Sequence, residues 1–260
     1  GARFVRRRAP AGDRAQAMRS SPTSDIPLGA FALAWLGRVE FERTSGYGRL
    51  LAAAIGAAAL GLLTGAGMEA GGDGAGALLA SVGTSAITVV VLLALVLVPM
   101  ETARKIARDL AVPLWWIAAD PLPRRLLVWS LASALPGALA AAALPLALLI
   151  ALQSPLEALA AALATAILWW SIVALGLFVF TIFPNRLESR GPLMYLWMLG
   201  LVAYLFPPFA AFTIALVTAR APLVGLGAAL VIVAVEGYIT LQLAAGRIAR
   251  HGLAIAREGR

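Results

Sequence analysis

Long apolar runs alternate with short polar stretches along this chain, and the apolar runs are close to bilayer length. A helix of about 20 apolar residues crosses roughly 30 Å of hydrocarbon. Six runs approach that scale, at about residues 50–66, 77–100, 126–152, 156–183, 193–218 and 223–245. The pattern predicts an all-α, polytopic membrane protein with six transmembrane helices inside a membrane domain spanning residues 29–246. Before the first run, residues 1–28 are basic, aperiodic and Pro/Ser-containing, as expected of a cytoplasmic tail or linker. In residues 29–44, Phe31, Trp35 and Val39 recur four apart among Arg38, Glu40, Glu42 and Arg43. That spacing puts the large apolar groups on one face and predicts an N-terminal interfacial helix with Trp35 at headgroup depth. The fifth run contains Pro207-Pro208. It reads either as one kinked span or as a shorter span plus a re-entrant piece.

The longest polar interruption, residues 101–125, has a pattern of its own. In METARKIARDLAVP, Ala103, Ile106, Ala107 and Leu110 share one helical face, whereas Glu101, Arg104, Lys105 and Arg108 share another. Glu101 with Lys105, and Lys105 with Asp109, are i,i+4 pairs of opposite sign. So short an amphipathic helix does not persist alone in water, so it must pack on lipid, on its own spans or on a partner. Pro113 ends it, Trp115-Trp116 supplies an interface anchor, and Asp120-Pro121-Leu122-Pro123 starts the next helix. Arg124-Arg125 mark the membrane boundary.

Composition agrees with the pattern: 61% of residues are hydrophobic and only 13% charged, with a mean hydropathy of +0.89, outside the range of soluble domains. The net charge of +8 points first to nucleic acid or anionic lipid, but its distribution removes the first. Of the Lys and Arg residues, nine lie before residue 50, five in 101–125, two in 183–192 and four in a basic cytoplasmic tail, 247–260. Only Arg220 falls on the opposite face, beside Glu69, Asp73 and Glu157. By the positive-inside rule both termini are expected in the cytoplasm, in a bacterial-type inner membrane.

Few side chains are equipped for catalysis. There are no cysteines, one histidine (His251) and one lysine (Lys105). Disulfides, thiolate metal sites and cysteine nucleophiles are excluded. A P-loop is excluded too, because Lys105 lacks the preceding glycine that such a loop requires. One histidine cannot supply an H-E-x-x-H metal helix, and His251 has no partner motif that would make it a base. GGDGAGALLAS lacks the further aspartates with which lipid headgroup transferases hold metal, and reads as an outer loop. No catalytic, metal-binding or cofactor-binding residue is therefore expected. One ionisable residue, Glu236, stands within a span, eleven residues before Arg247, or about 16 Å along a helix. It reads either as a pathway residue or as a protonated or hydrogen-bonded packing residue, serving Tyr238 or Gln242 on its own helix or joining helices.

The order of interfacial helix, two spans, charged cytoplasmic helix and then "P-L-P-R-R-L-L" leading into a span resembles the permease subunits of ABC-2 type exporters. Glu101–Arg108 take the place of that family's charged E-R-E-like segment, and Pro121–Leu127 the place of its P-x-S-R-R/W-x-x-x-L-like start of the third span. FPNRLESRGP is similar to the turn after the fourth span in a group of ABC exporters. Gly-Thr-x-Glu in the cytoplasmic helix and Gly-Lys after the arginine pair, both common in the family, are missing. The resemblance implies a transport permease with no ATPase site of its own, coupled to a separate ABC ATPase subunit that carries ATP and Mg. Partner contacts are implied at Glu101, Arg104, Lys105, Arg108, Asp109, Asp120, Arg124 and Arg125, which makes residues 101–112 a coupling helix. It also implies a second six-span unit, as a homodimer, a heterodimer or a fused half. In the last case residues 1–28 are the middle of a longer polypeptide. Two other functions fit the residues alone: an ion-coupled secondary carrier using Glu236, and a non-transporting membrane scaffold or assembly factor.

Overall fold

The computed structural model describes residues 46–70, 74–110, 120–182, 192–219 and 222–258. The expected tail 1–28 and interfacial helix 29–44 lie outside them, as do residues 111–119 with Trp115-Trp116 and the turn at 183–191. Among the described residues the fold is all-helical, with six helices in the order α1 (Gly46–Glu69), α2 (Ala75–Leu110), α3 (Leu122–Ala151), α4 (Pro155–Ile182), α5 (Pro192–Ala219) and α6 (Pro222–Glu258). Five stretches are long and apolar enough to cross a membrane: Gly48–Glu69, Leu122–Ala151, Pro155–Ile182, Leu199–Thr218 and Pro222–His251. In α2 the apolar stretch with described side chains is Ala75–Val91, and its apolar sequence runs on to Met100.

Small residues set how closely these helices approach, as expected where lipid removes any hydrophobic drive between them. A Cβ on Gly61 of α1 would lie 2.5 Å from the Leu144 carbonyl of α3, and one on Gly65 would lie 2.7 Å from the Ala151 methyl group. The backbones of α1 and α3 are therefore nearly in contact along two turns. Gly83 of α2 sits against the Thr64 side chain of α1, whose hydroxyl donates to the Leu60 carbonyl at 2.7 Å. Gly137 of α3 accommodates the Trp169 indole of α4.

α4 occupies the middle, against α2, α3 and α6. Ser171 to Leu177 are buried without a break, the signature of a helix enclosed on all sides. α3 and α4 are joined by a turn in which Gln153 adopts φ 56° and donates from Nε2 to Glu69 at 3.0 Å, tying the turn to the end of α1. α5 lies at the periphery, packed mainly on α6.

Three features refine or depart from the sequence pattern. First, α5 is one continuous helix through Pro207 and Pro208. Proline is tolerated in membrane helices, although these two remove the donors that would pair with the carbonyls of Ala203 and Tyr204, four residues earlier. Secondly, the amphipathic segment at 101–110 is not a separate helix but the continuation of α2 through Pro99. Thirdly, the basic stretch from Arg247 to Glu258 continues α6 as helix. α2 has 36 residues and α6 has 37, so both are about 55 Å long and outreach a hydrocarbon core of roughly 30 Å.

The projecting ends of α2 and α6 meet the start of α3 and the end of α4 in one buried cluster containing Ile106, Leu126, Trp129, Phe180 and Ile248. The charged segments thus gather at one end of the bundle.

Candidate functional site

At that end, the amphipathic pattern of residues 101–110 has a clear partner. Ile106, on its apolar face, is fully buried in the cluster just described. Two of its polar residues turn to α3. The Trp129 indole Nε1–H donates to Asp109 Oδ2 at 2.7 Å, and Lys105 Nζ stands 5.8 Å from the centroid of the same ring. Trp129 is itself buried, so a charge-assisted hydrogen bond and a cation–π contact converge on one ring. Glu101 is exposed. Arg104 and Arg108 lie on the same helix, but their side chains are outside the described residues.

Across the break, α3 begins at Pro121, whose carbonyl accepts from the backbone N–H groups of Arg124 and Arg125. Arg124 donates to Asp120 at 3.3 Å, an i,i+4 ion pair at the surface that contributes little stability. Arg125 is half-buried, and its Nε and Nη1 atoms are enclosed without a hydrogen-bond partner. On the other side of the cluster, Arg247 of α6 donates through Nε and Nη2 to the Thr181 carbonyl at 3.4 Å. It places positive charge on the last turn of α4, where the helix dipole favours it. His251 is exposed on α6. Of the eight residues expected to contact a partner, six have described side chains, and these divide between the end of α2 and the start of α3. Lys105 and Asp109 are engaged with Trp129, Asp120 pairs with Arg124, and Glu101 faces outward.

Glu236 lies elsewhere, well within α6. It is half-buried, on the boundary between the packed face of Val233, Gly237 and Thr240 and the exposed face of Val235 and Ile239. Its Oε2 atom is enclosed with no hydrogen-bond partner. Three hydroxyls surround this position. Thr240 Oγ1 donates to the Glu236 backbone carbonyl at 2.7 Å. The Tyr204 hydroxyl of α5 interacts with Thr240, lies within electrostatic range of the Glu236 carboxyl, and is hydrogen-bonded to Ser171 Oγ of α4. Ser171 also lies 3.2 Å from the Val233 carbonyl, so it ties three helices together. Gly237 is what lets α4 come this near, since a Cβ there would lie 2.9 Å from the Trp170 ring and 3.0 Å from Ser171 Oγ. Trp170 Nε1 in turn donates to Ser130 Oγ of α3 at 3.0 Å.

Sequence reasoning found Glu236 but not Tyr204, Ser171, Thr240 or Trp170. A hydroxyl within an apolar run was the available signal, yet such residues are common in membrane helices and normally bond to their own backbone. Trp129 was missed as well. Chemically, the cluster offers one carboxylate needing a donor, three hydroxyls and two aromatic rings. Among the described residues, no group of His, Cys, Asp or Glu could hold a metal ion. Compared with protein-family models, curated proteins and solved structures, the chain matches none.

Proposed function

We propose that the chain is the membrane permease unit of an ATP-driven exporter, with ATP and Mg bound on a separate ABC ATPase subunit. The single observation that carries this reading is the Trp129–Asp109 bond, which fastens the amphipathic end of α2 to the start of α3. A motor pressing on the projecting end of α2 moves α3 with it, because the contact is part-buried and charge-assisted. In this reading α2 makes the sixth crossing, with residues 101–110 beyond the bilayer as the coupling segment, and both termini are cytoplasmic. The missing P-loop lysine makes the partner necessary for ATP chemistry. Transport proceeds between two such units, each contributing the half-buried side of α6 that bears Glu236.

The test is affinity purification of the tagged full chain from its native membrane, with identification of whatever copurifies. A stoichiometric ATPase, whose activity the chain modulates after reconstitution, supports the reading. Its consistent absence sinks it. The enclosed Oε2 of Glu236 favours a second reading, an ion-coupled carrier. That predicts transport driven by an ion gradient without ATP and abolished in Glu236→Gln. If neither ATP nor a gradient drives transport, a scaffold role is left.

A further inference from the structure

Resting on the permease reading, we infer that the junction of α4, α5 and α6 beside Glu236 is a recognition site for a lipophilic substrate bearing one ammonium group. Glu236 acts as its counter-ion, and Tyr204, Ser171, Thr240 and Trp170 act as its polar and aromatic surround.

Three independent features converge on this substrate class. The first is charge: Glu236 Oε2 is enclosed with no donor, and a carboxylate within a membrane is completed by a proton or a positive group. No Lys or Arg lies between Leu193 and Ala219, nor between Pro222 and Gly246, so neither α5 nor the upper part of α6 contains a resident cation for it. The second is aromatic: the Tyr204 hydroxyl lies within electrostatic range of the Glu236 carboxyl, and the Trp170 ring is packed against the next residue, Gly237. A carboxylate with a phenol and an indole on the adjoining turns of packed helices is chemistry suited to alkylammonium groups. The third is access. Glu236 is at the rim of the packed face, next to exposed Val235 and Ile239, rather than in the centre of the bundle. An apolar molecule can approach sideways from the lipid or from the space between two units.

α5 provides the means of opening. Its Tyr204–Ser171 bond ties it to α4 at this junction. Pro207 and Pro208 leave the carbonyls of Ala203 and Tyr204 without their helical donors, placing a weak point in the backbone next to that bond. Exchanging the Tyr204–Ser171 bond for contacts with an incoming ligand then needs a bend at one place, not the displacement of a whole helix.

The test uses the purified full chain in lipid nanodiscs, with binding corrected for protein-free discs. The probe is benzyldodecyldimethylammonium, whose charge does not titrate, compared with uncharged benzyl dodecyl ether. The native chain should bind the cation about tenfold or more tighter than the ether. Glu236→Gln should remove that preference by weakening cation binding alone, since losing one partner of a desolvated charge pair is expensive. Glu236→Asp should keep part of the preference, and Tyr204→Phe should weaken cation binding to a smaller extent. Retained ether binding and an unchanged melting temperature establish that each variant is folded. Equal binding of both probes by the native chain overturns the inference, as does undiminished cation binding by folded Glu236→Gln. Displacement of the cation by millimolar sodium assigns the site to an inorganic ion and overturns the substrate class. Binding needs no ATPase, so absence of an ATPase partner bears on the exporter reading and leaves this result standing.

Discussion

The indole N–H of Trp129 donates to the Asp109 carboxylate at 2.7 Å across twenty residues of sequence, joining the far end of α2 to the first turns of α3. Lys105 stands over the same ring. Trp129→Phe keeps most of the buried aromatic surface but deprives Asp109 of this donor. It should cost about 1–3 kcal/mol of stability, seen as a lower melting temperature in detergent. Reconstituted with the proposed ATPase partner, it should also reduce substrate-stimulated ATP hydrolysis while leaving probe binding at Glu236 unchanged. A variant that loses stability but keeps full stimulation would show the bond to be structural only.

The backbone contact of α1 with α3 makes a sharper stability prediction. Gly61→Leu inserts a side chain where even a Cβ would lie 2.5 Å from the Leu144 carbonyl. It should destabilise the bundle by at least about 2 kcal/mol or prevent its assembly, since overpacking typically costs 1–3 kcal/mol and backbone cannot yield as a side chain does. Gly56 is on the same helix with nothing within 4 Å of its Cβ position. Gly56→Leu should be neutral in the same melting assay, so the pair separates steric overlap from any general effect of leucine.

Orientation can be tested cleanly because the chain has no cysteine of its own. Single cysteines at the exposed positions Glu69 and Gln153 should react with a membrane-impermeant maleimide from outside intact cells. Cysteines at Glu101 and His251, also exposed, should react only after the membrane is opened. Labelling of all four from one side would refute the six-crossing arrangement.

Replacing both Pro207 and Pro208 by alanine restores donors to the Ala203 and Tyr204 carbonyls. The double variant should melt at a higher temperature than the native chain, whereas ATP-driven transport should slow severalfold because α5 bends less readily. Faster transport, or no change in either property, would argue against a hinge at this place.

Much of the membrane architecture was legible in the amino-acid sequence because hydrophobic length is a local property: the five long apolar helices coincide with runs visible by inspection. Glu236 was legible for the same reason, being a single acid in such a run. What joins it to Tyr204 and Ser171 was not, because contacts between α4, α5 and α6 depend on which residues are small enough to let helices approach, as Gly237 does. Pro207-Pro208 could not be read either way, since the surroundings of a membrane helix decide whether proline kinks it or breaks it. The end of α2 was misjudged as a separate helix for a related reason. Its change from apolar to amphipathic was clear, but a change in pattern marks where a helix leaves lipid, not where its hydrogen bonding stops.

The glycines of α1 have a mechanical consequence. Where Gly61 and Gly65 meet α3, backbone rests on backbone, and no side chain can rotate aside to let the two helices slide. α5, by contrast, has the Tyr204–Ser171 bond as its hydroxyl link to α4 and carries its own weak point at the two prolines. The molecule is thus built as a keel and a flap. On the proposed permease reading, force entering through α2 and α3 would pass along the stiff side and be released as movement where the flap meets α6 beside Glu236.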